Sequence, residues 1–120
     1  MATIDAKTDI AECPFAPVAK VIQGKWSLVL VWLLLDETLR FSEIKRAIPS
    51  STDANLTKEL RMLENYGIVR RKAYPTVPPK VEYSLTDMGK ALRPTIEALE
   101  EWSLLHSKKA FEKSAPTDDS

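Results

Sequence analysis

The feature that most constrains this chain is an unbroken run of eight apolar residues from Leu28 to Leu35. This run is far shorter than the ~20 residues that a membrane-spanning helix needs. Together with Trp26, it leaves almost no polar face on a predicted helix from Lys25 to Asp36, which should therefore be buried on nearly all sides. A chain of 120 residues has difficulty covering such a helix by itself, so the run indicates dimerisation.

Helix caps, prolines and glycines predict a mostly helical α+β fold. A first helix opens at Pro14 and ends at Gly24, and Ser42 caps a third helix that stops at Pro49. The other predicted elements are a short extended segment at 39–41, a fourth helix at 52–66 capped by Thr52, hairpin strands at 68–74 and 81–85, and a last helix at 87–111 that Pro94 should bend. This order is typical of a winged helix-turn-helix with terminal dimerisation helices.

Composition bounds the domain organisation and excludes several classes of protein. We expect a polar, flexible arm at 1–12, one folded domain at 13–111 and a polar tail at 112–120. With one cysteine and one histidine, the chain can form neither an internal disulfide nor a metal site of the usual spacing. It also carries no phosphate-binding loop and no Ser-His-Asp set. We therefore expect no enzyme, no catalytic residue, no metal and no cofactor, and a cytoplasmic location, since no signal peptide or membrane span is visible.

The fourth predicted helix has two chemically different sides. Leucines at 56, 60 and 63 form one apolar stripe, and Ala54, Lys58, Arg61 and Asn65 fall opposite it. Amide, hydroxyl and cationic groups are the ones that read base edges and hold phosphates. On an isolated helix this pattern would indicate only a solvated face, but the helix-turn-helix spacing favours DNA binding. The candidate DNA-binding residues are Ser42, Thr52, Asp53, Ala54, Asn55, Thr57, Lys58, Arg61, Arg71 and Lys80.

The predicted hairpin adds a second cationic segment. Arg70, Arg71 and Lys72 lead towards a proline-rich turn, and Lys80 returns from it. Cations on a stiff turn lose little entropy when they meet phosphate, although charge can also simply protect an edge strand from pairing. The whole chain has no net charge, yet eight basic and four acidic residues lie between positions 40 and 72. This local excess permits an electrostatic footprint for double-stranded DNA.

Several motifs follow one another along residues 13–102. They are Cys13-Pro14, Gly24-Lys25-Trp26, Arg40-Phe41-Ser42-Glu43-Ile44, Leu56-Thr57-Lys58-Glu59-Leu60-Arg61, the stretch Leu63–Val69 and the stretch Tyr74–Thr86. In this order they resemble the HxlR-type winged-helix regulators, relatives of the MarR-like regulators, and the string Val77–Thr86 is the most specific part. The resemblance implies a homodimer that is built from the terminal helices and binds a two-fold operator.

The chain departs from that family in the first turn of the recognition helix. Family members carry Gln-Lys-Met or a similar sequence after the cap, whereas this chain carries Asp53-Ala54-Asn55. A basic residue is lost and a carboxylate is gained where bases or phosphates are approached. The carboxylate can accept from cytosine or complement the helix N-terminus, and it can also repel phosphate.

Cys13 is the second residue of interest, because in some family members a cysteine at this position senses oxidants or electrophiles. A thiol just before Pro14, at a predicted helix N-terminus, lies in a field that favours the thiolate, whereas neighbouring Glu12 opposes it. Without a second cysteine, a disulfide would join two subunits or a small thiol. Oxidant sensing and an inert structural role both stay open.

The sequence therefore predicts a sequence-specific DNA-binding transcriptional regulator that acts as a homodimer, with oxidant or small-molecule sensing as a further role. The residues predicted at the dimer interface are Val18, Ile22, Leu99 and Trp102. The alternative is a winged-helix module that binds proteins and not DNA, which the Asp53-Ala54 pair favours.

Overall fold

A small antiparallel sheet and the helices around it make up the computed structural model, which describes residues 13–114, with side chains described for 13–107. In chain order, the elements are α1 (Ala16–Val21), α2 (Ser27–Leu33), β1 (Leu39–Arg40), α3 (Phe41–Ala47), α4 (Asp53–Asn65), β2 (Val69–Tyr74), β3 (Lys80–Leu85), α5 (Asp87–Lys90) and α6 (Arg93–Ser114). The predicted arm at 1–12 lies outside the described residues, as does 115–120 of the predicted tail.

The helix α2 is shorter and less buried than predicted. It covers seven residues, and only the side that carries Leu30 and Val31 is enclosed. On its other side Leu28 is exposed, and 47% of the Trp32 surface is accessible to solvent. The prediction of burial on nearly all sides is therefore wrong for a single chain, because one face of α2 packs on the core and the other does not.

The helices α1 and α3 begin at residues other than those predicted. Pro14 lies in a turn before α1, and Pro17 occupies the first turn instead. Arg40, not Ser42, is the N-cap of α3, because the Glu43 carboxylate accepts a hydrogen bond from the Arg40 backbone N–H at 2.8 Å. Ser42 consequently lies inside the first turn of α3 and is exposed.

The helix α4 forms where the sequence predicts it. The Thr52 hydroxyl accepts a hydrogen bond from the Asn55 backbone N–H at 3.1 Å, which satisfies a donor that the helix leaves free. After the helix, Gly67 adopts a φ of 79°, a left-handed conformation that residues with a side chain rarely adopt. The predicted leucine stripe is buried and consists of Leu56, Leu60 and Leu63.

The sheet has the strand order β1-β3-β2, with both pairings antiparallel. The hairpin of β2 and β3 pairs Arg71 with Tyr83 and Tyr74 with Lys80, and β1 adds Leu39 beside Tyr83. The predicted extended segment is thus a short third strand. Its pairing with β3 attaches the start of the helix-turn-helix to the hairpin.

The predicted last helix is divided in two. Residues 91 and 92 separate α5 from α6, and Pro94 is the second residue of α6. A proline is tolerated in the first turn because the backbone N–H is not needed there. The expected bend is therefore an interruption, and α6 extends three residues beyond the predicted end at 111.

The core lies between α2, α3, α4 and the sheet, and Ile96 extends it onto α6. Its fully enclosed apolar side chains are Leu30, Ile44, Leu56, Leu60, Leu63, Val31 and Val69. No helix in the described part of the chain is both long enough and apolar enough to cross a membrane.

Candidate nucleic-acid interface

The outward face of α4 is the centre of the candidate interface. Ala54, Lys58, Arg61 and Asn65 are all exposed, opposite the buried leucine stripe. Together with Thr57 they border one shallow groove. The structure therefore brings these predicted residues together on one surface, where two cations and polar groups can meet phosphates and base edges.

The inner flank of α4 carries Glu59, a residue that sequence reasoning missed. Its carboxylate is buried, and it accepts hydrogen bonds from the Trp26 backbone N–H at 2.8 Å and from Asn55 Nδ2 at 2.9 Å. A side chain at Gly24 would place Cβ only 2.4 Å from Glu59 Oε1, so glycine is needed there. The spacing could have predicted this burial, because Glu59 follows the buried Leu56 by three residues and therefore lies on the same side of the helix.

Asn55 is half-buried and faces this carboxylate. Its amide nitrogen, Nδ2, also lies 3.3 Å from the hydroxyl oxygen of Ser51. The nitrogen of this predicted DNA-binding side chain is therefore engaged within the fold and is not directed into the outward face.

The carboxylate of Asp53 has a cationic neighbour. Its side chain is 73% exposed, and Oδ1 lies 3.6 Å from Nζ of Lys45 on α3. Lys45 also donates a hydrogen bond to the backbone carbonyl of Ser51 between the two helices. The Asp53 carboxylate, in the first turn of α4, is thus paired with a lysine of α3.

The two predicted wing cations lie on opposite faces of the hairpin. Arg71 pairs across the strands with Tyr83, and Lys80 pairs with Tyr74. Paired residues share a face of the sheet, and successive residues of a strand alternate between faces, so Arg71 and Lys80 are on opposite faces. Nζ of Lys80 lies 4.6 Å from the centre of the Tyr74 ring and 3.7 Å from Oε2 of Glu82. Lys80 is consequently held by its neighbours, while Arg71 forms no ion pair among the described residues.

Apolar side chains are exposed along α2 and α6, away from this face. Leu28, Trp32, Leu99 and Leu104 line a groove of about 320 Å³ between the two helices. Trp102 is half-exposed beside it. The remaining residues predicted at a dimer interface, Val18 and Ile22, are exposed at α1.

Cys13 is a free cysteine, and only 9% of its surface is exposed. It lies in the turn that precedes α1, and its carbonyl accepts a hydrogen bond from the Ala16 backbone N–H at 3.0 Å. Cys13 therefore lies three residues before the first residue of α1, and not directly before it as the sequence predicts. Within the residues that the structure describes, no group of His, Cys, Asp and Glu side chains could hold a metal ion.

A helix-turn-helix followed at once by a β-hairpin defines the winged helix-turn-helix class of DNA-binding proteins. The chain belongs to the HxlR-like helix-turn-helix family, whose sequence profile matches residues 21–111. The expected family and the α+β winged-helix fold are thereby confirmed.

Similar proteins agree with this assignment. An uncharacterised HTH-type transcriptional regulator of Halalkalibacterium halodurans is 46% identical over 97 residues, which are 80% of this chain and 86% of that protein. The redox regulator HypR in its oxidised form is 46% identical with a TM-score of 0.72, over 76% of this chain and 94% of HypR. Its reduced form is 42% identical with a TM-score of 0.75, over 84% and 98%. The chain is accordingly a transcriptional regulator of the helix-turn-helix type, and not an enzyme.

Proposed function

We propose that this protein is a homodimeric transcriptional regulator that binds a two-fold operator through α4 and the hairpin. The observation that carries the proposal is the single outward surface formed by Lys58, Arg61 and Asn65 on α4. A second helix of this length and polarity fits the major groove, where its N-terminal part reaches base edges. Arg71 on the hairpin supplies a cation that can meet the adjacent backbone phosphates.

The exposed apolar surface of α2 and α6 supports the homodimer. Trp32, Leu99 and Trp102 are large side chains that a soluble monomer rarely leaves in one exposed patch. A symmetric dimer covers this patch with its own copy, which is the commonest arrangement in soluble oligomers. Two recognition helices would then be held at a fixed separation.

The proposal is tested by selecting bound duplexes from a random DNA pool. We expect an inverted repeat whose half-sites lie one helical turn apart, ~34–36 Å centre to centre. The Lys58→Ala/Arg61→Ala variant should enrich no such repeat. Lys90→Ala, which removes an exposed cation of α5, is the matched control and should select the wild-type sequence.

The same selection tests the alternative of a protein-binding module. If the folded wild type retained no duplex above background, DNA binding would be wrong and the module would be favoured. Enrichment of an asymmetric sequence would contradict the dimer on a two-fold operator.

Oxidant sensing at Cys13 is a second candidate function, favoured by the 46% identity to the redox regulator HypR. A single cysteine per chain allows a disulfide between two subunits, in which two thiols lose their hydrogens to an oxidant such as diamide. The burial of Cys13 opposes this reaction, because an enclosed thiol is less accessible to the oxidant.

A comparison of operator affinity before and after diamide treatment tests the second candidate. Sensing requires a large change in the wild type that reducing agent reverses and that Cys13→Ser abolishes. Equal responses of the two proteins would assign Cys13 a structural role and leave the proposed DNA binding unaffected.

A further inference from the structure

We infer that Glu59 is a positioning residue for DNA recognition, which fixes the Asn55 amide so that its carbonyl oxygen is the atom available to a base. This inference rests on the proposed function, because it assumes that the first turn of α4 enters the major groove. It predicts that Asn55 recognises a base with an exocyclic amino group in the major groove.

The geometry around Glu59 leaves its carboxylate little freedom. The side chain is 5% exposed. Oε1 accepts from the Trp26 backbone N–H at 2.8 Å and lies 3.5 Å from the Ser27 hydroxyl oxygen, and Oε2 accepts from Asn55 Nδ2 at 2.9 Å. Donors from two helices and the turn before α2 therefore surround this group, as a buried carboxylate requires.

The chemistry of Glu59 decides which way the Asn55 amide points. A carboxylate only accepts hydrogen bonds, so the asparagine must turn its NH₂ group, and not its carbonyl, towards Oε2. The same nitrogen lies 3.3 Å from the Ser51 hydroxyl oxygen. Both amide hydrogens thus have acceptors inside the fold, and Oδ1 is the polar atom left for an outside donor.

This orientation restricts what Asn55 can recognise. An asparagine that reads adenine in the usual bidentate way uses both its oxygen and its nitrogen, on N6 and N7. Here only the oxygen is available, so the side chain can accept from the N4 amino group of cytosine or the N6 amino group of adenine. Guanine and thymine present acceptors at the corresponding positions and should be disfavoured.

The spacing of Asn55 and Glu59 along α4 accounts for their contact. Asn55 lies one helical turn before the buried carboxylate, at the i, i+4 spacing at which side chains on a helix meet. A base preference that depends on this contact should therefore require both residues.

The test compares the wild type with Glu59→Gln and Asn55→Ala in selection from a random DNA pool. The wild type should prefer cytosine or adenine at one position of each half-site by roughly 5- to 150-fold, the range of a good base contact. A glutamine at 59 can donate as well as accept, so Asn55 is free to turn over. Both variants should lose the preference at that one position and keep it at the others.

A double variant separates positioning from general loosening of the fold. Once Asn55 is alanine, adding Glu59→Gln should change the base preference no further. Thermal unfolding and binding to non-operator duplex should confirm that each variant is folded and retains its backbone contacts.

The outcomes are distinct. If the wild type selects a motif that both single variants keep unchanged, the inference is wrong while the proposed function holds. Loss of the preference in Asn55→Ala alone would overturn the role of Glu59, and loss in Glu59→Gln alone would overturn the role of Asn55. If the folded wild type selects no motif, the proposed function and the inference fail together.

Discussion

The helices α4 and α6 differ in how completely a single chain supports them. In α4 the apolar stripe of Leu56, Leu60 and Leu63 is enclosed, and the one buried charge has hydrogen-bond donors. In α6 only Ile96 is buried among the described side chains, and 77% of the Leu104 surface is exposed. The apolar side of α4 is covered within the chain, whereas α6 presents apolar surface that none of the residues described in the structure covers.

Under the proposed function, this difference corresponds to different roles of the two helices. The outward face of α4 is free to be polar because its inner face already holds the helix in place. The groove between α2 and α6 is bordered by Leu28, Trp32 and Leu99 and offers few polar groups, so it suits a second copy of the chain better than DNA. Stability and operator binding should therefore respond to different substitutions.

The largest expected effect is on folding, from Leu60→Ala. Removing this fully buried side chain from α4 should lower the free energy of unfolding by ~2–5 kcal/mol, since it leaves a cavity between α4 and the core. Chemical denaturation measures the loss, which should be the same at all protein concentrations. A loss below ~1 kcal/mol would contradict the close packing of α4.

A smaller effect, on assembly, is expected from Trp102→Ala combined with Leu99→Ala. Central aromatic residues of an interface contribute ~2 kcal/mol or more, so dimer dissociation should rise about 30-fold or more. Light scattering at micromolar concentration should show the mass falling towards one chain, while circular dichroism keeps its helical signal. An unchanged dimer mass would place the interface elsewhere.

The third prediction concerns the outward face of α4. Lys58→Ala and Arg61→Ala should each weaken operator binding by ~1–3 kcal/mol and leave the unfolding midpoint unchanged, because both side chains are exposed. Mobility shifts on the selected duplex give the affinities. Wild-type affinity in both variants would show that this face does not meet DNA.

The smallest effect distinguishes the two wing cations. Arg71→Ala should reduce the salt-dependence slope of binding by roughly one, the signature of one lost phosphate contact. Lys80→Ala should change the slope less, because Glu82 and the Tyr74 ring already hold this lysine. A larger change for Lys80 than for Arg71 would reverse the assignment of the wing contact.

Local signals in the sequence were sufficient for α4 and the hairpin. Thr52 caps α4, the leucine stripe forms its buried face, and Gly67 follows its last turn. Each of these features depends on residues that are close in the sequence, so all three could be predicted. The prediction of Ser42 as the N-cap of α3 was wrong. The Glu43 carboxylate accepts a hydrogen bond from the Arg40 backbone N–H, so the helix begins after Arg40.

The rest depends on contacts between distant parts of the chain. The Glu59 carboxylate lies against Gly24, where a side chain would collide with it, and accepts from the Trp26 N–H, and both residues are more than thirty positions earlier in the chain. The exposure of Trp32 likewise follows from which side of α2 the core occupies. Composition and periodicity contain neither piece of information.

The most direct test of the proposed homodimer is the mass of its complex with a selected duplex. Light scattering on a duplex with both half-sites should report two chains of 13.5 kDa bound together, and a duplex with one half-site scrambled should bind much more weakly. Binding of a single chain to the intact duplex, with full affinity for the scrambled one, would contradict a homodimer on a two-fold operator.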